Sequence, residues 1–204
     1  MPNWSYTEIT VTGDKNKLEN FQKKVKEWTS KEYMKSDFDL MWLGNIVGNS
    51  GLESRTENKD FDIACRGDLT QCEMYGDKLT ICTRTAWRPM LKMWTELLKR
   101  EVGDYELVFN SEDDCGNYFI SSDPEIYGKY RFDIWENDLL DELELPDNDE
   151  WYISKERLVS LLQKLFNTVV SNVDELIEMF DNSDYADMAS INVWEKADIE
   201  TYLE

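Results

Sequence analysis

Eight carboxylates and no base lie between Glu136 and Glu150: Glu136, Asp138, Asp141, Glu142, Glu144, Asp147, Asp149 and Glu150. Oxygen donors at that density support three kinds of chemistry. Two carboxyl groups held about 5–10 Å apart in a cleft perform general acid–base hydrolysis of the glycosidase kind. Several oxygens on one loop hold a divalent cation. A folded array of them presents a surface of fixed negative charge to a cationic partner. Histidine, the usual base near neutral pH and the commonest metal ligand, is absent from the chain. Its absence excludes Ser-His-Asp and Cys-His nucleophile systems and zinc sites built on imidazole.

The other motifs of site chemistry are thin. The calcium-loop pattern Asp-x-Asx-x-Asx-Gly-x5-Glu is missing, and Glu112-Asp113-Asp114 and Asp147-Asn148-Asp149-Glu150 read as solvated loops rather than weak cation sites. No Gly-x-x-x-x-Gly-Lys phosphate loop occurs. Cys65, Cys72, Cys82 and Cys115 are separated by 7, 10 and 33 positions with no Cys-x-x-Cys pair, so they read as free, mostly buried thiols of a reducing cytosol. No catalytic residue, metal or cofactor is expected. A carboxylate- or metal-dependent enzyme stays as the alternative.

The surface reading is favoured by where the charge falls. The 204 residues carry 22 Lys+Arg and 43 Asp+Glu, a net charge of −21. Residues 1–103 hold sixteen of each sign and are neutral, whereas residues 104–204 hold six bases and twenty-seven acids. The whole excess therefore sits in the second half. Trp135, Trp151 and Tyr152 border the 136–150 cluster, and Tyr185, Trp194 and Tyr202 punctuate a second acidic stretch from Asp174 to Glu204. Such a chain is repelled by nucleic acid and by anionic membranes, so neither is an expected partner. The candidate partner-binding set is the eight acids of the cluster with Trp151 and Tyr152.

The elements that must position this set follow from periodicity. Trp4 to Val11 alternates as a strand, and Leu18, Phe21, Val25 and Trp28 give residues 14–29 a helical apolar stripe. Segment 30–75 is harder to read, with a possible strand from Asp37 to Leu43 and a loop-like run from Gly44 to Lys59. Lys78–Arg84 alternates as a strand, and Pro89 suits the first position of a helix carrying Met90, Trp94, Leu97 and Leu98. Three further strands are expected at Tyr105–Asn110, Asn117–Ser121 and Lys129–Trp135. The acidic run is a connection or a short acidic helix. Ser154 caps a leucine-rich helix with Ile153 and Leu158 as a hydrophobic staple, and Asn172 caps another. A last amphipathic element is expected from Val193 to Leu203. The expected fold is α+β, with one domain over 1–135 and an acidic, mainly helical region over 136–204.

Two blocks carry a family resemblance. Met1-Pro2-Asn3-Trp4 with Val11-Thr12-Gly13-Asp14, and Leu79 to Pro89 with its Thr85-Ala86-Trp87-Arg88-Pro89 turn, resemble the YubB-type ferredoxin-like domain family of plasmids and phages. The likeness covers residues 1–29 and about 75–135. The family's Asn-Trp-Gly motif is absent from 30–75, and the C-terminal third is unmatched. The resemblance implies a split β-α-β antiparallel sheet with two helices, and it brings no catalytic residues.

Duplex DNA carries a negative charge about every 1.7 Å, and proteins that hold it present Lys and Arg grooves. A folded carboxylate face can occupy such a groove. Together with the mobile-element context, this points to a counter-defence inhibitor, first of all an anti-CRISPR protein. It would act as an acidic nucleic-acid mimic on a host defence nuclease, such as a CRISPR effector, in the cytoplasm. An acidic scaffold for an unrelated basic partner is the other binding alternative. The first residues lack a basic and apolar secretion signal, and no apolar run nears the ~20 residues of a membrane span.

Overall fold

The computed structural model describes residues 3–33, 39–52, 63–116, 118–145 and 150–203. The chain is mixed α+β and forms two compact units, Met1–Asp123 with Ala197–Glu204, and Pro124–Lys196.

In the first unit, β1 (Trp4–Gly13) alternates buried Ser5, Thr7, Ile9 and Val11 with exposed Tyr6 and Glu8. It pairs antiparallel with both β3 (Lys78–Ala86) and β4 (Tyr105–Asp113). With β2 (Gly67–Tyr75) and β5 (Phe119–Ser121) the strand order is β2-β3-β1-β4-β5. Helix α1 (Lys15–Trp28) begins where the Asp14 carboxylate accepts the Lys17 N–H at 3.0 Å. Its Leu18, Phe21 and Val25 meet Leu91, Met93, Trp94, Leu97 and Leu98, which line the buried stripe of α3 (Leu91–Glu101). The two helices are tied by charge as well. The Lys17 ammonium donates to the Val102 carbonyl at 2.9 Å, a cation placed at the carbonyl end of α3. Lys24 pairs with Glu101, and that hydrogen bond holds the Glu101 carboxyl below its ordinary range.

Several expectations for this unit are corrected. Gly44–Lys59 does not start as a loop: Leu43–Asn49 is a buried helix, α2. A Cβ on Gly44 would lie 2.4 Å from the Trp42 ring and one on Gly48 2.2 Å from the Tyr33 ring, so these glycines serve close packing. Asn45 is fully buried and fully used: its amide donates to the Asp39 and Leu40 carbonyls and accepts the Tyr33 N–H. The possible strand at Asp37–Leu43 reduces, where described, to a single bridge from Trp42 to Asp68. Helix α3 starts at Leu91, two residues after Pro89, because a tight turn at Trp87 holds the preceding backbone away from helical geometry.

The second unit has its own sheet. Strand β6 (Tyr130–Ile134) lies between β7 (Glu150–Ile153) and β8 (Ala189–Val193), antiparallel to both. Tyr130, Phe132 and Ile134 share one core with Leu139, Leu140 and Leu143 of α4 (Asn137–Leu143), the leucines of α5 (Lys155–Phe166) and Val173, Leu176 and Phe180 of α6 (Val173–Asp181). Phe132 and Phe180 meet edge to face at 5.7 Å. The Ser154 hydroxyl accepts the Arg157 N–H at 3.2 Å, and Ile153 and Leu158 are both buried, as the staple requires. Asn172 caps α6 through the Asp174 N–H.

The region after 135 is helical over α4, α5 and α6, and it contributes β7 and β8 as well. The division between units also falls at 123/124 rather than 135/136, because β6 turns Phe132 into the second core. The last residues do not form one amphipathic element. Beyond Val193 the chain returns to the first unit, where Ala197 N–H donates to the Ser121 carbonyl at 2.8 Å and Tyr202 packs on Phe109 at 5.3 Å. Two separate cores predict separable damage. Phe132→Ala should cost about 3–5 kcal/mol, and hydrogen exchange should show lost protection across 124–196 while β1 and β3 keep theirs.

Candidate partner-binding surface

Helix α4 sorts the acidic run into two sides. Leu139, Leu140 and Leu143 are buried, and Glu136, Asp138, Asp141, Glu142 and Glu144 are exposed. Apolar spacing of one, three and four residues is what a one-sided helix needs. Asp138 lies in the first turn, where the helix dipole favours a carboxylate. Glu144 closes the helix in a left-handed conformation, φ 57°, and pairs with Lys164 of α5 at 3.0 Å.

A second acidic segment joins the first. The Tyr185 hydroxyl donates to both Glu142 oxygens at 3.1 and 3.3 Å, and the Trp135 indole N–H donates to the Asp187 carbonyl at 2.8 Å. Asp184 and Asp187, on the 3-10 turn Asp184–Asp187, thus stand beside α4 with Trp135 and Tyr185 among them. Trp135 is 55% exposed. Among the described residues, no Lys or Arg forms an ion pair with Glu136, Asp138, Asp141 or Glu142.

The rest of the expected set is placed less closely. Asp147 and Asp149 lie outside the described residues. Glu150 and Trp151 fall in β7, with Glu150 opposite Phe132. Tyr152 is exposed, its ring tilted against Trp194 at 5.5 Å. The pairing of Tyr185 with Glu142 escapes sequence reading because 43 residues separate them. The charge is also less one-sided than the linear split implies. The second unit holds eighteen acids against six bases, net −12, and the first holds the remaining −9, including Asp198 and Glu200 of the returning tail.

Elsewhere, the ligand atoms of Asp113, Asp114 and Cys115 lie within 4.8 Å of one another. Three donors fall short of the six to eight oxygens calcium takes. The Asp114 carboxylate is already used by the Trp4 N–H at 3.1 Å and the Cys115 thiol at 3.5 Å. Cys65 and Cys72 are buried and Cys115 is exposed, so the expectation of mostly buried thiols holds only in part. Burial pushes Cys72 up to about 12 and Cys82 to about 11, and the Asp114 hydrogen bond raises exposed Cys115. None is a thiolate near neutrality.

No helix among the described residues is long and apolar enough to cross a membrane. No family model, curated protein or solved structure matches the chain. Chemistry on the surface must carry the functional argument.

Two measurements check this geometry. The Tyr185 phenol lies above its ordinary value of 10.0, through partial desolvation, the Glu142 bond and the charges of Glu142 and Asp184. Because the folded state keeps that proton longer than the unfolded chain, its contribution to stability falls as pH rises past 10. Glu142→Gln should lower the phenol's midpoint, read by carbon-13 tyrosine NMR. Iodoacetamide at pH 8 should label Cys115 alone in the native protein, and Asp114→Asn should accelerate that labelling, counted by mass spectrometry.

Proposed function

We propose that this protein is a counter-defence inhibitor of a phage or other mobile element, most simply an anti-CRISPR protein that fills the basic nucleic-acid channel of a host nuclease. The supporting observation is the exposure of Asp138, Asp141 and Glu142 on the side of α4 away from its leucines, with Glu136 at its N-cap and Asp184 and Asp187 held beside it. Lacking ion-pair partners among the described residues, Glu136 and the three α4 acids project a field that a groove built for phosphates would attract, raising association rates by about 10–1000-fold at low salt. Trp135 and Tyr185 add aromatic contact area inside that field, the composition of binding hot spots. The absence of histidine favours occlusion over turnover.

Strand order supports a relationship to the YubB-type ferredoxin-like proteins. Strands β1 and β2, joined through α1, flank antiparallel β3, while β3 and β4, joined through α3, flank antiparallel β1. That order supports a split β-α-β reading of the first sheet, with β5 as an addition. On this reading the protein works in the host cytoplasm and takes a nucleic-acid-binding protein, not nucleic acid, as its partner.

The test is target cleavage by purified guide-loaded nucleases titrated with the protein. Stoichiometric inhibition is expected, weakening between about 0.1 and about 0.5 M salt as exposed charges are screened. Changing Glu136, Asp138 and Asp141 together to their amides should weaken inhibition about tenfold or more through lost electrostatic complementarity, with an unchanged melting temperature. If inhibition survives the triple change, the acids serve solubility and the reading fails. Capture of a basic protein that is not a nuclease would move the assignment to a scaffold.

A further inference from the structure

Three described residues other than glycine have positive φ: Trp87 at 69°, Glu144 at 57° and Asn167 at 48°. Glu144 and Asn167 close helices α4 and α5, where a left-handed residue satisfies the final carbonyls. Trp87 closes no helix. Arg88 N–H donates to the Ala86 carbonyl at 3.0 Å, so Trp87 is the centre of a three-residue γ-turn. With positive φ this is the rare, strained hand of that turn.

The strain is held in place from all sides. Ala86 N–H donates to the Arg66 carbonyl at 2.9 Å, Trp87 N–H to the Asn3 carbonyl at 2.8 Å, and the Thr85 hydroxyl to the Arg88 carbonyl at 2.8 Å. A bulky side chain in such a turn is normally compensated by burial, yet the Trp87 ring is 57% exposed. Glycine would adopt the same backbone without the steric cost. The fold itself therefore gains little from tryptophan at this position, and strained backbone that carries an exposed functional group is a mark of binding sites.

We propose that Trp87, with Arg66 and Arg88, is a preorganised docking knob for an apolar peptide segment bordered by acidic residues on a partner protein. The Arg66 guanidinium stands over the indole at 6.0 Å, and exposed Arg88 follows it directly. The ring offers an apolar insert, and guanidinium groups beside it pair with carboxylates in a planar, two-bond geometry. Tryptophan and arginine together are the residues in which binding energy concentrates. A turn already fixed by four hydrogen bonds loses little further freedom on docking. The side chains beside the ring are cationic, so this knob's partner is acidic where the partner of the α4 surface is basic. The two proposals stand independently.

The experiment pans a random phage-displayed peptide library on the immobilised full-length protein, with Trp87→Gly and Arg66→Glu proteins in parallel. Wild type should retain peptides in which Asp or Glu flanks Leu, Phe or Met, about tenfold above either variant, the loss expected for a hot spot. Trp87→Gly should melt at or above the wild-type temperature, since it relieves the strained φ. Arg66→Glu keeps the turn and the ring, and should lose the acidic peptides. A lower melting temperature for Trp87→Gly would show that the ring serves the fold and would overturn the proposal. Equal retention by wild type and Trp87→Gly would overturn it too, as would selection of basic rather than acidic peptides.

Discussion

Mutual repulsion among carboxylates is the constraint on which this molecule is built. Forty-three acids face twenty-two bases with no histidine to moderate them, so folding must concentrate like charge while burying enough apolar surface to offset it. Both units use the same solution. Leucine, phenylalanine and valine are drawn to one side of α1, α3, α5 and α6, and most acids among the described residues are left in water, where repulsion is screened. Helix α4 shows the limit of the device: its seven residues bury three leucines and expose three acids.

Which carboxylates the bases engage decides where the field remains. In the first unit they are tied into structure: Lys17 closes α3, Lys24 and Arg100 converge on Glu101, Lys26 meets Glu73, and Arg84 meets Asp68. Exposed pairs of this kind contribute little stability one by one, but each cancels charge locally. In the second unit Arg131 pairs with Asp133 and Lys164 with Glu144. Glu144 is thereby removed from the acidic set, and the remainder of α4 keeps its charge.

Much of this was legible from residue order, and the exceptions have physical causes. Helices α1 and α5 were visible because a capping Asp14 or Ser154 stands before an unbroken apolar stripe. Strands β1 and β3 were visible because one side is buried and the other wet, which imposes strict alternation. Helix α2 was hidden because its glycines, normally signs of a loop, are there to admit aromatic rings. Strand β2 lay unread in the same ambiguous stretch, and a bulge between Leu69 and Gln71 breaks its alternation. Within the candidate surface, the exposure of Asp138, Asp141 and Glu142 follows from helical spacing. The arrival of Asp184 and Asp187 does not, because it depends on strand pairing between β6 and β8, which no local pattern encodes.

That pairing explains why Trp135 ends up where it does. Strand β6 stops at Ile134, and the Trp135 N–H continues the ladder to the Met188 carbonyl while its indole reaches the Asp187 carbonyl. The ring is thus held through hydrogen bonds to the backbone and stays 55% exposed. Tyr185 is held differently, by Glu142 and by Phe166, whose ring lies 5.9 Å away. An acidic surface made of free side chains would repel itself into disorder. Two anchored aromatics hold Glu142 and the Asp184–Asp187 turn in place, and groups held in place lose less freedom on binding.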